Sequence, residues 1–137
     1  MRTDSKGNPL VFALTSGEKH DAPQLVRLID AGEIKRVHRG RPRLRPKRLA
    51  GDKGYDSAAL RTALRRRGIE PIIPSRSNRK RTIPFDKARY RGRNVIERCI
   101  NRLKQWRRVA TRYEKHAANY AAMILIAASM HFVNLLL

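Results

Sequence analysis

Glu97 is the sole acidic side chain between Lys87 and Tyr113, a stretch that carries ten lysines and arginines. Such a stretch suits an anionic ligand. A lone carboxylate inside it repels that ligand unless something neutralises the charge. A divalent cation does so and binds phosphate as well, since magnesium takes oxygen ligands, commonly a few carboxylates plus substrate phosphates. Glu97 then needs carboxylate partners at strand ends. Asp52, which closes RLAGD (48–52), and Asp4, at the turn after the first residues, are the two candidates. The competing explanation is an Arg93–Glu97 pair on a solvated helix face, worth about 0.2–0.5 kcal/mol. It accounts for two residues and leaves the others unexplained. Glu18, His20 and Asp21 form a further group of metal-ligand types, but helix capping explains Asp21 without a metal.

These residues need elements to position them. At 100° per residue, Tyr90, Arg93, Glu97, Asn101 and Lys104 share one face of a helix over 91–110, within an arc of about 80°. Val95, Ile96, Cys99, Leu103 and Trp106 lie on the other side, as a stripe to pack on a sheet. Upstream, a strand stub at 1–3 and a strand at 10–15 flank the turn residues DSKGNP. A helix over 22–31 starts at Asp21 and stops at Gly32. A strand at 48–52 leads through KGYDS into a helix that Asp56 or Ser57 caps and Gly68 ends. EPIIP (70–74) is a buried strand, and an apolar helix over 117–136 closes the chain. Alternating strands and helices predict an α/β fold with a mixed sheet, forming a single domain over 1–137.

Composition narrows the partner. Of 137 residues, 32 are Lys or Arg and 11 are Asp or Glu, a formal charge of +21. Self-repulsion of that size destabilises a compact state and points to a polyanion, nucleic acid first. The basic runs at 35–48 and 75–91 are the expected sequence-independent contacts with the DNA backbone, so binding should weaken with salt at a slope near −0.9 per phosphate contact. One cysteine, Cys99, excludes an internal disulfide and fits the reducing cytoplasm. The C-terminal apolar run is interrupted by Ser129, His131 and Asn134. A membrane span wants about 20 mostly apolar residues, so the run reads as a helix buried in protein, with His131 a satisfied core histidine.

The spacing Tyr90, two residues, Arg93, three residues, Glu97, six residues, Lys104 resembles the Y-x2-R-x3-E-x6-K signature of DDE transposases from bacterial insertion sequences, in the superfamily of insertion sequences four and five. GDKGYDS (51–57) resembles the segment bearing that family's second aspartate, and TDSKGNPL with LTSGEKHD (3–21) the segment bearing its first. The resemblance implies a ribonuclease H-like core and a triad of Asp4, Asp52 and Glu97. These would hold two Mg2+ or Mn2+ ions about 3.5–4 Å apart for DNA strand cleavage and transfer. It also implies that Arg93, Lys104 and Lys53 grip phosphates. Tyr90 either stacks near the scissile phosphate or packs at the helix start.

Members of the family have a DNA-binding region and a full first strand ahead of the first aspartate, whereas three residues precede Asp4 here. The expectations that follow are a truncated front, an upstream-frame polypeptide as a partner, and little activity from the chain alone. The resemblance further implies a homodimer on paired DNA ends. The rival functions are a non-enzymatic basic nucleic-acid-binding protein and a metal-dependent nuclease on the same fold.

Overall fold

The computed structural model describes residues 1–16, 21–32 and 45–134. Glu18, His20 and most of the basic run at 35–48 lie outside the described residues. The chain is a mixed α/β protein. It divides into two compact units, one made of Met1–Thr15 with Asn94–Leu137, the other of Ser16–Arg93.

The unit over 16–93 is built around a β-α-β segment. Strand β3 (Arg48–Ala50) puts only Leu49 inside, between exposed Arg48 and Ala50. It pairs in parallel with β4 (Glu70–Ile72), in the register Arg48↔Glu70, Leu49↔Pro71 and Ala50↔Ile72. Parallel neighbours need a crossover, and α2 (Ala58–Arg66) supplies it. Ser57 caps α2 by accepting the Leu60 N–H at 3.1 Å. At the other end Gly68 takes φ +71°, a left-handed conformation in which glycine carries no Cβ penalty. The Gly68 N–H then reaches Arg65 O and the Ile69 N–H reaches Leu64 O, which closes the helix in a Schellman motif. Helix α1 (Asp21–Ala31) adds Leu25 and Ile29 to a core with Leu49, Leu60, Leu64, Ile69 and Ile73. Replacing Ser57 by Ala should cost about 1 kcal/mol of stability, read in urea denaturation, with no change in the fold.

In the other unit, β1 (Arg2–Thr3) and β2 (Pro9–Val11) form an antiparallel hairpin. It packs with α4 (Asn94–Leu103), α5 (Arg107–Ala110) and α6 (Ala117–Val133). Cys99, Leu103, Val109, Ile124 and Ala127 are the core, with Met1, Phe12 and Tyr120 against it. Burial pushes the Cys99 thiol above its usual pKa, so it stays a protonated, apolar-packed group.

Several sequence expectations need correction. The described strands form two separate two-stranded sheets, not one mixed sheet. Each strand has only two or three residues and pairs with its nearest sequence neighbour. The single helix expected over 91–110 is three helices, α3 (Lys87–Arg91), α4 and α5. The first break falls at Gly92, which caps α3 through its N–H to Arg89 O. At the second break Trp106 adopts extended backbone, φ −78° and ψ 110°, at the start of α5. It is therefore 39% exposed and leaves the apolar stripe to Cys99 and Leu103. The closing helix is only half covered: Ile124 and Ala127 are buried, while Leu125, Ile126, Met130, Phe132 and Val133 are exposed. Among the described residues no helix is long and apolar enough to cross a membrane.

Candidate active site

Asp52 stands just beyond the C-terminal end of β3. It caps a short 3-10 turn, Lys53–Tyr55, by accepting the Gly54 N–H on Oδ1 at 2.8 Å. The turn closes through the Tyr55 N–H to Asp52 O and the Asp56 N–H to Lys53 O, each at 3.1 Å. Tyr55 packs on the core of its unit and anchors the turn. Asp52 and Lys53 are both exposed. One carboxylate oxygen of Asp52 is thus oriented by the backbone, and Oδ2 has no hydrogen-bond partner among the described residues. An oriented carboxylate with an open oxygen can serve a hard cation or accept a proton.

Behind this turn lies a buried ionic network that sequence reasoning missed. The Asp56 side chain is completely buried. Its Oδ1 accepts Arg61 Nε at 2.8 Å, and its Oδ2 accepts the Arg76 N–H at 2.8 Å and Arg79 Nε at 2.9 Å. Burial opposes ionisation of Asp56. The Arg76 N–H and the guanidinium groups of Arg61 and Arg79 outweigh it and hold the pKa down at about 2. Arg61 is itself buried and donates from Nη2 to Ile73 O at 2.7 Å, at the end of β4. Arg76 turns back onto the Asp52 turn, with Nε on Lys53 O at 3.1 Å and Nη2 on Gly54 O at 2.6 Å. Two arginines of the basic run after β4, exposed Arg76 and half-buried Arg79, thus also bond within the protein. A signal was present: Arg61 lies between Leu60 and Leu64 on the buried side of α2, and a charge there requires a partner.

Tyr90 and Arg93 belong to the same unit as Asp52. The Tyr90 ring meets Phe85 edge to face at 5.4 Å between centroids, and the Arg93 guanidinium carbon lies 5.7 Å from its centre. Tyr90 lies in the second half of α3, the helix that Asp86 caps. The break at Gly92–Arg93 means that one helical wheel does not run from Tyr90 to Lys104.

Glu97 and Lys104 belong to the other unit. Glu97 lies in the first turn of α4, where the helix dipole favours a carboxylate. Glu97, Asn101 and Lys104 are exposed at spacings of four and three, opposite buried Cys99 and Leu103. Lys104 follows α4 and keeps a helical bond from its N–H to Ile100 O.

Asp4 closes the β1–β2 hairpin. Its Oδ1 accepts the Lys6 and Asn8 N–H groups and its Oδ2 accepts Asn8 Nδ2, all at 2.9 Å. Asn8 Oδ1 in turn lies 3.1 Å from His131 Nε2 on α6, and Arg102 Nη2 of α4 donates to Gly7 O at 2.9 Å. Burial and the Arg102 charge lower the His131 pKa, against the pull of Asp4. His131 is thus a hydrogen-bonded, half-buried histidine. A carboxylate offers about four lone-pair positions, and the turn uses three of those on Asp4. Among the described residues no group of three or more His, Cys, Asp or Glu side chains is gathered so as to hold a metal ion.

Comparison with known proteins follows from this geometry. A family model described as the transposase DDE domain matches residues 2–132. The chain is 38% identical over 128 residues to a Burkholderia cepacia protein described as a transposase for insertion sequence element IS402. That match covers 93% of this chain and 58% of the relative, so the chain spans little more than half of the relative's length. No solved structure matches.

Proposed function

The chain belongs to the transposase DDE domain family, and from that premise we propose that it cuts phosphodiester bonds at the ends of an insertion sequence and joins the freed 3′ ends to target DNA. The observation that carries the proposal is Asp52: an exposed carboxylate at the C-terminal end of a parallel strand, one oxygen fixed by the Gly54 N–H and the other open. The parallel β3–α2–β4 segment supports a ribonuclease H-like core. The family match runs through both compact units, which supports their belonging to one domain.

Asp52, Glu97 and Asp4 are the proposed ligands for two Mg2+ or Mn2+ ions. Asp52 fits a hard cation through Oδ2, and Glu97 fits by its exposure on α4. Asp4 has one lone-pair position left once its turn is closed. Bound divalent ions would lower the pKa of water and stabilise charge on the leaving 3′ oxygen. The chain's own work is to grip and orient DNA: Lys53 beside Asp52, Arg93 with Tyr90, and Lys104 after α4 supply cationic contacts for phosphate. The +21 charge supplies the sequence-independent affinity.

The test uses a duplex with a pre-cut 3′-OH end, a second duplex as target, and Mg2+ or Mn2+. The expected product is a joined strand, absent when EDTA replaces the metal. Cleavage without joining would assign a nuclease. Retention of DNA with neither reaction would assign a binding protein and end the proposal.

A further inference from the structure

We propose that Arg76 is a positioning residue for the Asp52 carboxylate, acting as a clamp on the turn that orients it. The proposal rests on the reading of Asp52 as a site carboxylate. The argument begins with how little of the turn is self-supporting. Three residues, Lys53–Tyr55, form a single 3-10 turn, and one turn fixes several dihedrals for one or two hydrogen bonds. Yet the Gly54 N–H must stay in place, since it orients Asp52 Oδ1.

Arg76 meets that need. Its Nε and Nη2 donate to Lys53 O and Gly54 O, two successive carbonyls of the turn. The planar fork of a guanidinium spans two such acceptors, which the single ammonium of lysine cannot do with the same geometry. The base of the clamp is fixed as well. The Arg76 N–H donates to Asp56 Oδ2, and Asp56 immediately follows the turn, its own N–H on Lys53 O. Chain from 53 to 56, the Asp56 carboxylate, the Arg76 backbone and the Arg76 guanidinium form a closed ring. Arg61 and Arg79 hold the buried carboxylate of that ring in its charged form.

The alternative role for an exposed arginine in a basic loop is plain attraction of DNA. The two roles separate on substitution. A positional error of about 1 Å in a reacting group costs on the order of 10²-fold in rate, whereas loss of a phosphate contact weakens binding and lowers the salt slope.

The experiment compares wild type, Arg76→Lys and Arg76→Ala. It reads amide hydrogen exchange of the 53–57 segment, DNA affinity as a function of salt, and the rate of metal-dependent nicking at saturating DNA. Arg76→Lys keeps the charge and the exposed surface, so folding is not in question. Clamping predicts that both variants speed exchange at Tyr55 and Asp56 by about tenfold or more. Both should lose about ten- to a hundredfold in nicking rate, with DNA affinity within twofold for Arg76→Lys. Unchanged exchange in both variants overturns the proposal. So does a lysine variant that exchanges and nicks like wild type while alanine alone loses DNA affinity, because charge would then suffice. A wild-type chain that retains DNA and never nicks it defeats the strand-transfer reading instead, and the exchange measurement still decides the clamp.

Discussion

Gly54→Ala is expected to leave the chain folded and remove about 99% of its metal-dependent nicking. A Cβ at position 54 would lie 2.8 Å from Asp52 Oδ1 and 3.7 Å from the Asp52 carboxyl carbon, and apart from its chain neighbours it would meet no other residue within 4 Å. The atom that must yield is therefore the end of a side chain, so the stability cost should stay near 1 kcal/mol, the ordinary range of single substitutions. What yields, however, is the proposed metal-binding group. Its displacement breaks the Gly54 N–H contact and reorients the carboxylate. Asp52→Asn and Glu97→Gln give the reference level: both should abolish nicking and spare or strengthen DNA binding, since each removes a negative charge from a basic surface. Mn2+ uptake, followed by electron paramagnetic resonance, reads the same site without turnover and should fall in all three variants. A Gly54→Ala chain that binds Mn2+ and nicks at the wild-type rate would show that the Asp52 carboxylate orientation has no bearing on the chemistry.

This experiment addresses a contact that local sequence signals did not contain. What they did contain is instructive. Ser57, the Leu60–Leu64 pair and Gly68 mark α2 from cap to Schellman stop, and all three signals are satisfied within a dozen residues of chain. The strand ending before Asp52 is legible for the same reason, since Leu49 alone must go inside and a turn must follow. The segment 91–110 reads as one helix because Gly92 is its only strong helix breaker and its apolar residues keep a helical spacing. One glycine costs only about 1 kcal/mol in a helix, so the pattern looked continuous. Tertiary packing decides at that point: Gly92 closes α3, and Trp106 leaves the apolar stripe to start α5. Asp56 reads locally as a cap candidate, and its partners, 5, 20 and 23 residues away, leave no local signal. Charge counting assigns the arginines after β4 to DNA, whereas exposed Arg76 and half-buried Arg79 also bond within the protein. At Asp56 and Arg61, burial reverses the meaning of a charge, which there serves a partner inside the protein.

That reversal leads to the largest expected effect on stability. Asp56→Ala should cost about 3–5 kcal/mol, the range for removing one partner of a buried ion pair. The Arg61 side chain is only 2% exposed and would keep its charge without a counter-ion, while the Arg76 N–H and Arg79 Nε would lose their acceptor. Asp56→Asn isolates the charge from the shape. The folded-state pKa of Asp56, about 2, lies below its ordinary value of 3.8. The difference corresponds to about 2 kcal/mol of stability. Because the folded value is the lower one, the contribution is complete above about pH 4 and is lost as pH falls through the interval from 3.8 toward 2. Urea denaturation of wild type and Asp56→Asn at a series of pH values should therefore give curves that separate most near pH 5 and converge as pH approaches 2. A gap that stays constant from pH 5 to pH 2 would mean that Asp56 is not held as an anion by Arg61, Arg76 and Arg79. The turn carrying Asp52 would then lack the charged foundation argued for it.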